Sequence, residues 1–191
     1  MNVFPPIPSW DGLHPLIVHF PIALLLIAPI LIILGLTLSK YSKGFFLSAL
    51  VLMIIGTIAV FVATSTGEAA GELAERMVNV ENVLEQHEEL AETTRTTFTA
   101  LTIIFAAMLF LPALLKKNLG RASSMILNIA FLVFYLAGAL VLANTAHQGG
   151  RLVHELGVRA MVTTNGGNAQ ANTNEAPPAQ KGEAKHGDDD D

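Results

Sequence analysis

The chain contains no cysteine. That excludes disulfides, thiolate zinc sites, cysteine-ligated iron–sulfur clusters and covalently attached c-type haem. Charge is scarce as well. Asp, Glu, Lys and Arg make up 14% of the 191 residues, where a soluble domain carries about a quarter. The net charge of −5 argues against nucleic acid as a partner, because phosphate recognition needs a basic surface. The opening MNVFPPIPSWDG has no basic n-region, and the apolar stretch behind it is too long for a signal-peptide h-region, so that stretch is read as retained. Serine and cysteine nucleophile motifs are missing, which points away from a hydrolase and, more broadly, from an enzyme.

What is present is apolar. Hydrophobic residues make up 52% of the chain and the mean hydropathy is +0.52, a composition that belongs in lipid. Four segments are long enough to cross a bilayer: residues 13–38, 45–65, 96–115 and 122–146. At 1.5 Å per residue each spans a hydrocarbon layer of about 30 Å. None has an ionised residue in its middle. Backbone groups in lipid must be satisfied within their own segment, so the fold is all-α, a four-helix integral membrane bundle over 13–162. Residues 1–12 form a short segment ahead of it. From 163 to 191 the chain is rich in Asn, Gly, Ala and Pro and ends in four aspartates, which predicts a disordered acidic tail carrying His186.

The turns set the orientation. Lys40 and Lys43 lie between the first two spans, and Lys116, Lys117 and Arg121 between the last two. Short basic turns face the cytoplasm, which puts both termini and the acidic stretch between spans two and three outside, in a bacterial inner membrane. That stretch keeps a helical period. Leu73, Met77, Val80, Leu84, His87, Ala91, Thr94 and Phe98 form one packed face. Spans two and three are therefore expected to continue ~15–20 Å above the membrane as one hairpin, with Asn79 and Asn82 capping its second helix.

The ligand-type side chains share a level. Counting 1.5 Å per residue up from the basic turns puts His19 at about 31 Å, Glu68 at about 36 Å, and His14 and His147 at about 39 Å. The same count puts Glu72 at about 42 Å and His87 at about 43 Å. Neutral imidazole is a good ligand for iron, copper or zinc, and four-helix bundles build cofactor sites from inward side chains on facing helices. His14, His19, His87 and His147 are the ligand candidates for a b-type haem. With Glu68 and Glu72 they are the candidates for a bare metal ion. His14 with His147, or His19 with His87, would supply two axial imidazoles. Gly67, Gly71, Gly149 and Gly150 leave room for a flat macrocycle or for tight helix packing. Arg151 is the arginine best placed for a propionate, with Arg76 and Arg95 nearby. His154, beyond the Gly149-Gly150 pair, has no predictable height.

Two functions follow. One is electron transfer through a haem or metal at the outer face, with a redox partner. The other is a structural or assembly subunit of a larger membrane complex, its histidines bonding helices together. A transporter fits less well. Mid-membrane polar residues are few (Ser48, Thr57, Thr102 and Asn128), and no inverted repeat or broken helix is visible.

Three stretches carry a family resemblance: LHPLIVHFPIAL near the start, a lone histidine ahead of the third span, and GGRLVHELGV after the fourth. Over roughly residues 10–162 they resemble domain-of-unknown-function family 2231, predicted bacterial membrane proteins. The resemblance implies the architecture and no particular activity. His14, His19 and His87 fall on the family's histidine positions, whereas His147 stands where the family more often has a small or apolar residue. The family pattern usually has Tyr at His154 and Gly at Arg159. Relatives joined to redox modules point toward electron transfer.

Overall fold

The structure, a computed structural model, describes residues 8–77, 79–116 and 120–158. The tail expected over 163–191 lies outside the described residues, as do Lys117 and Arg159. The described residues are helical throughout, joined by short turns, with no strand among them. After a 3-10 turn at Asp11–Leu13 come α1 (His14–Ile17) and α2 (His19–Thr37), which together form the first rod. A second 3-10 turn, Ser39–Tyr41, leads into α3 (Ser42–Ala74). The last two helices are α4 (Glu81–Leu114) and α5 (Arg121–His154). Four rods are long and apolar enough to cross a membrane.

The first rod is interrupted at Val18, where the sequence suggested one continuous helix. The cause is Pro21. It has no amide to offer the Ile17 carbonyl, so the ladder breaks one turn earlier, and the next bond, Ile22 N–H to the Val18 carbonyl, is stretched to 3.5 Å. A second proline, Pro29, sits inside α2 and deprives the Leu25 carbonyl of its helical partner. In lipid an orphaned carbonyl costs several kcal/mol. The Tyr135 hydroxyl, from the buried side of α5, donates to that carbonyl at 2.7 Å.

The helices on either side of the central turn outrun their apolar segments. Helix α3 continues to Ala74, and α4 starts at Glu81. Asn79 closes the turn with a positive φ of 69°, a conformation Asn tolerates better than most residues. The N-cap is Val80, with no side-chain cap, so the expected asparagine capping is replaced by burial: Val80 packs with Ala74, Leu84 and Leu152 in a small apolar cluster. Of the expected stripe, Val80, Leu84, Thr94 and Phe98 are buried, while Leu73 and Met77 are exposed. The main core is larger. Leu25, Ile32 and Met53 meet an aromatic column in which Phe105 stacks on Phe131 and Tyr135 meets Phe98 edge-on.

The bundle is built from two similar hairpins, α1–α2–α3 and α4–α5. Pro21, Leu25, Ala28 and Ile32 are buried in α2; the buried residues of α4 include Thr94, Phe98, Leu101 and Phe105, each 73 positions later. Ala49, Met53, Gly56, Val60 and Ala63 are buried in α3; Phe131, Tyr135, Gly138, Leu142 and Thr145 are buried in α5, each 82 positions later. The glycines repeat the position, and each is closely packed against the other helix of its hairpin. A Cβ on Gly56 would strike Leu25 at 2.8 Å, and one on Gly138 would meet Leu101 at 3.0 Å and Thr97 at 3.1 Å. The two hairpins run in the same sense through the bundle, so this is a parallel repeat, not an inverted one.

Candidate functional site

At the end of the bundle away from the basic turns, the two hairpins part around a cavity of about 620 Å³. That is the size of a pocket for a cofactor-sized molecule. Its floor is apolar, with Val60, Ile22 and Leu142. Half-exposed Leu73, Met77 and Val153 extend the apolar wall toward the mouth.

Two imidazoles approach each other in this space. His14, at the start of α1, and His87, in the second turn of α4, have ring centres 6.4 Å apart and ring planes 80° apart. Each is held in the same way by the other helix of its hairpin. The Nδ1–H of His14 donates to the Ala63 carbonyl at 2.9 Å, with the Thr66 hydroxyl at 3.2 Å. The Nδ1–H of His87 donates to the Thr145 carbonyl at 3.0 Å. A carbonyl only accepts, so Nδ1 carries the proton in both rings, and each neutral ring has a bare Nε2 lone pair. Neither Nε2 has a protein partner among the described residues.

One turn beyond each accepting carbonyl is a glycine. A Cβ on Gly67 would stand 2.9 Å from His14 Cε1, and one on Gly149 would stand 3.0 Å from His87 Cε1. Each ring therefore packs closely against a helix at a place where a larger residue would collide with it. His14 and His87 are 73 residues apart, and Ala63 with Gly67 lies 82 residues before Thr145 with Gly149. The site thus obeys the same repeat as the core, one imidazole from each hairpin.

Of the residues singled out in the sequence, His14, His87 and Glu68 line the cavity. His19, His147, Glu72 and His154 are exposed and do not line it. No group of three or more His, Asp or Glu side chains close enough to hold a bare metal ion occurs among the described residues. Arg151 does not line the cavity either. Its guanidinium is taken by Glu155 at 3.0 Å and by Gln148 at 2.9 Å. The cation that does line it is Arg76, among carboxylates that include Asp11, Glu68 and Glu88. Sequence reasoning missed the carbonyls of Ala63 and Thr145, which orient the rings. The available signal was the paired spacing of histidines and glycines.

No curated protein and no solved structure matches this chain. A family profile described as "Predicted membrane protein (DUF2231)" matches residues 11–161. With four membrane-crossing rods now in view, the chain belongs to the DUF2231 family of predicted membrane proteins.

Proposed function

We propose that this chain is an electron-transfer protein of the bacterial cytoplasmic membrane that holds a b-type haem between His14 and His87. The observation that carries the proposal is the close pair of imidazoles, each held through Nδ1 and with no protein partner on Nε2 among the described residues. A metal-bound imidazole nitrogen lies about 2 Å from the metal, and the ring centre is roughly 1.2 Å behind it by ordinary bond lengths. Two imidazoles on opposite sides of one iron therefore have ring centres about 6 Å apart. The 6.4 Å spacing here meets that requirement.

Two protein ligands are few for a bare cation, and enough for haem iron, whose macrocycle supplies the other four nitrogens. An iron held by both His14 and His87 would keep no open position for a substrate, which would suit electron transfer better than oxygen or substrate chemistry. The Nδ1–carbonyl bonds fix tautomer and orientation, as partners of metal-bound imidazoles do. The repeat supports the same reading, since two like hairpins suit a ligand with two like faces. In this reading His19 and His147 are not ligands. The basic turns face the cytoplasm, and the cavity opens on the outer side, within reach of a redox partner.

The test is an absorption spectrum of the detergent-purified protein, oxidised and then reduced with dithionite, with metal analysis of the same sample. The expected result is about one haem per chain with sharp reduced bands, lost in His14→Ala and in His87→Ala and kept in His19→Ala and His147→Ala. A chain that is colourless and stays so with added haemin, or variants that lose colour in the other order, would overturn the proposal. A colourless chain purified with stoichiometric partners would instead favour a structural subunit.

A further inference from the structure

We infer that Arg76 recognises an anionic edge of the cavity's ligand, the propionate edge of the haem. This rests on the haem reading and adds to it the direction in which the macrocycle is inserted. A haem held by both His14 and His87 would stand across the line between them, between the two hairpins. One edge would then lie toward Val60, Ile22 and Leu142, which line the cavity and form an apolar floor where a carboxylate would be desolvated without a partner. The propionates therefore point to the mouth.

At the mouth the charges are not evenly placed. Asp11, Glu68 and Glu88 would repel a carboxylate. Arg76 is on the turn that joins α3 to α4, so it bridges the two hairpins at the rim. The other described arginines of this end are engaged. Arg95 pairs with Glu92, and Arg151 with Glu155 and Gln148. Arg76 makes no ion pair among the described residues, although Glu72 and Glu75 are near it in sequence. An unpaired guanidinium at the edge of an apolar slot is a bidentate receptor for a carboxylate.

The experiment compares haemin with haemin dimethyl ester, whose propionates are blocked, binding to the full chain freed of cofactor in detergent. Wild type should bind haemin roughly tenfold more tightly than the ester, the size of one charge-assisted pair. Arg76→Gln should erase that preference and lower the midpoint potential, because a positive charge beside the haem favours the reduced form. It should leave the six-coordinate spectrum unchanged. Arg151→Gln should keep the preference. An Arg76→Gln chain that still prefers haemin by the wild-type ratio overturns the inference while the haem reading stands. A wild-type chain that binds neither porphyrin overturns both. Arg76 is exposed, so its replacement does not endanger folding; unchanged helical circular dichroism verifies this.

Discussion

Gly149 and Gly150 are neighbours in sequence, and the site predicts opposite fates for their alanine variants. A Cβ at Gly149 would stand 3.0 Å from His87 Cε1; at Gly150 it would meet nothing within 4 Å. Ordinary carbon contacts lie at about 3.5–4.0 Å, so in Gly149→Ala the imidazole must retreat by roughly half an ångström. Its Nδ1 bond to the Thr145 carbonyl, 3.0 Å long, then stretches toward about 3.5 Å, where little of a hydrogen bond is left. Losing that bond and the aim of Nε2 costs about 1–2 kcal/mol of ligand binding, a roughly 5- to 30-fold weaker haem affinity. The helix itself gains. Alanine is better than glycine in a helix interior by about 0.5–1 kcal/mol, which roughly offsets the lost hydrogen bond, so the cofactor-free protein should change little in stability. Affinity and stability are thus expected to separate in Gly149→Ala, while Gly150→Ala should gain stability and keep affinity. Haemin titration followed at the Soret band, with thermal melts of the cofactor-free proteins, measures both. Equal affinities in the two variants, or a loss in Gly150→Ala as large as in Gly149→Ala, would refute the packing argument.

Other expectations follow from single contacts. Tyr135→Phe removes the hydroxyl that satisfies the Leu25 carbonyl and should cost about 1–2 kcal/mol in a detergent unfolding assay. Pro29→Ala in the same chain should recover part of that loss, because the helix regains an amide for Leu25. The Asn128 Oδ1 is buried with no partner among the described residues, so Asn128→Leu should be neutral or stabilising by about 1 kcal/mol in that assay. The near-perpendicular rings of His14 and His87 should give oxidised haem a strongly anisotropic low-spin paramagnetic resonance signal dominated by one large g value. A rhombic signal would mean that the rings are nearer to parallel. Because the chain has no cysteine, single cysteines at Lys43 and Glu81 can be labelled one at a time in intact cells. An impermeant thiol reagent should reach position 81 and not 43; the reverse would invert the proposed orientation.

The spans were legible because lipid imposes one solution on a long apolar segment. That His14 and His87 come to one level was legible too, because height along a helix depends only on the residue count. Which way each points was harder, yet the helix angle already divides them. His14 and His19 are five residues apart, about 140° around a regular helix, so one site does not take both. His147 and Gly149 are about 200° apart, so a cavity faced by Gly149 leaves His147 outside. What the sequence hid was the partner of each ring. Ala63 and Thr145 act through backbone carbonyls, which no side-chain pattern marks. Arg151 drew attention by its position after two glycines, but Glu155 one turn on holds it. The break at Val18 was readable in principle from Pro21.

The repeat explains why a pair of histidines so far apart in sequence meets at all. Corresponding positions do corresponding work in the two hairpins, with different residues. The Leu25 carbonyl of α2 accepts a hydroxyl from Tyr135 of α5, and the Phe98 carbonyl of α4, 73 residues later, accepts one from Thr57 of α3 at 3.4 Å. Each hairpin thus offers the same carbonyl to a hydroxyl of the other, although the donors occupy different helical positions. The bond is short where Pro29 has freed the carbonyl. It is long on the other side, where position 102 is a threonine with its own amide. The histidines follow the opposite rule. They bond within their hairpin, His14 to α3 and His87 to α5, and leave one lone pair each for whatever lies between. Cross-hairpin hydroxyls hold the lower bundle together. Above them the ring centres of His14 and His87 come within 6.4 Å of each other, and neither Nε2 has a protein partner among the described residues. Two acceptors gain nothing from one another, and in the proposed function a Lewis acid between them would serve both.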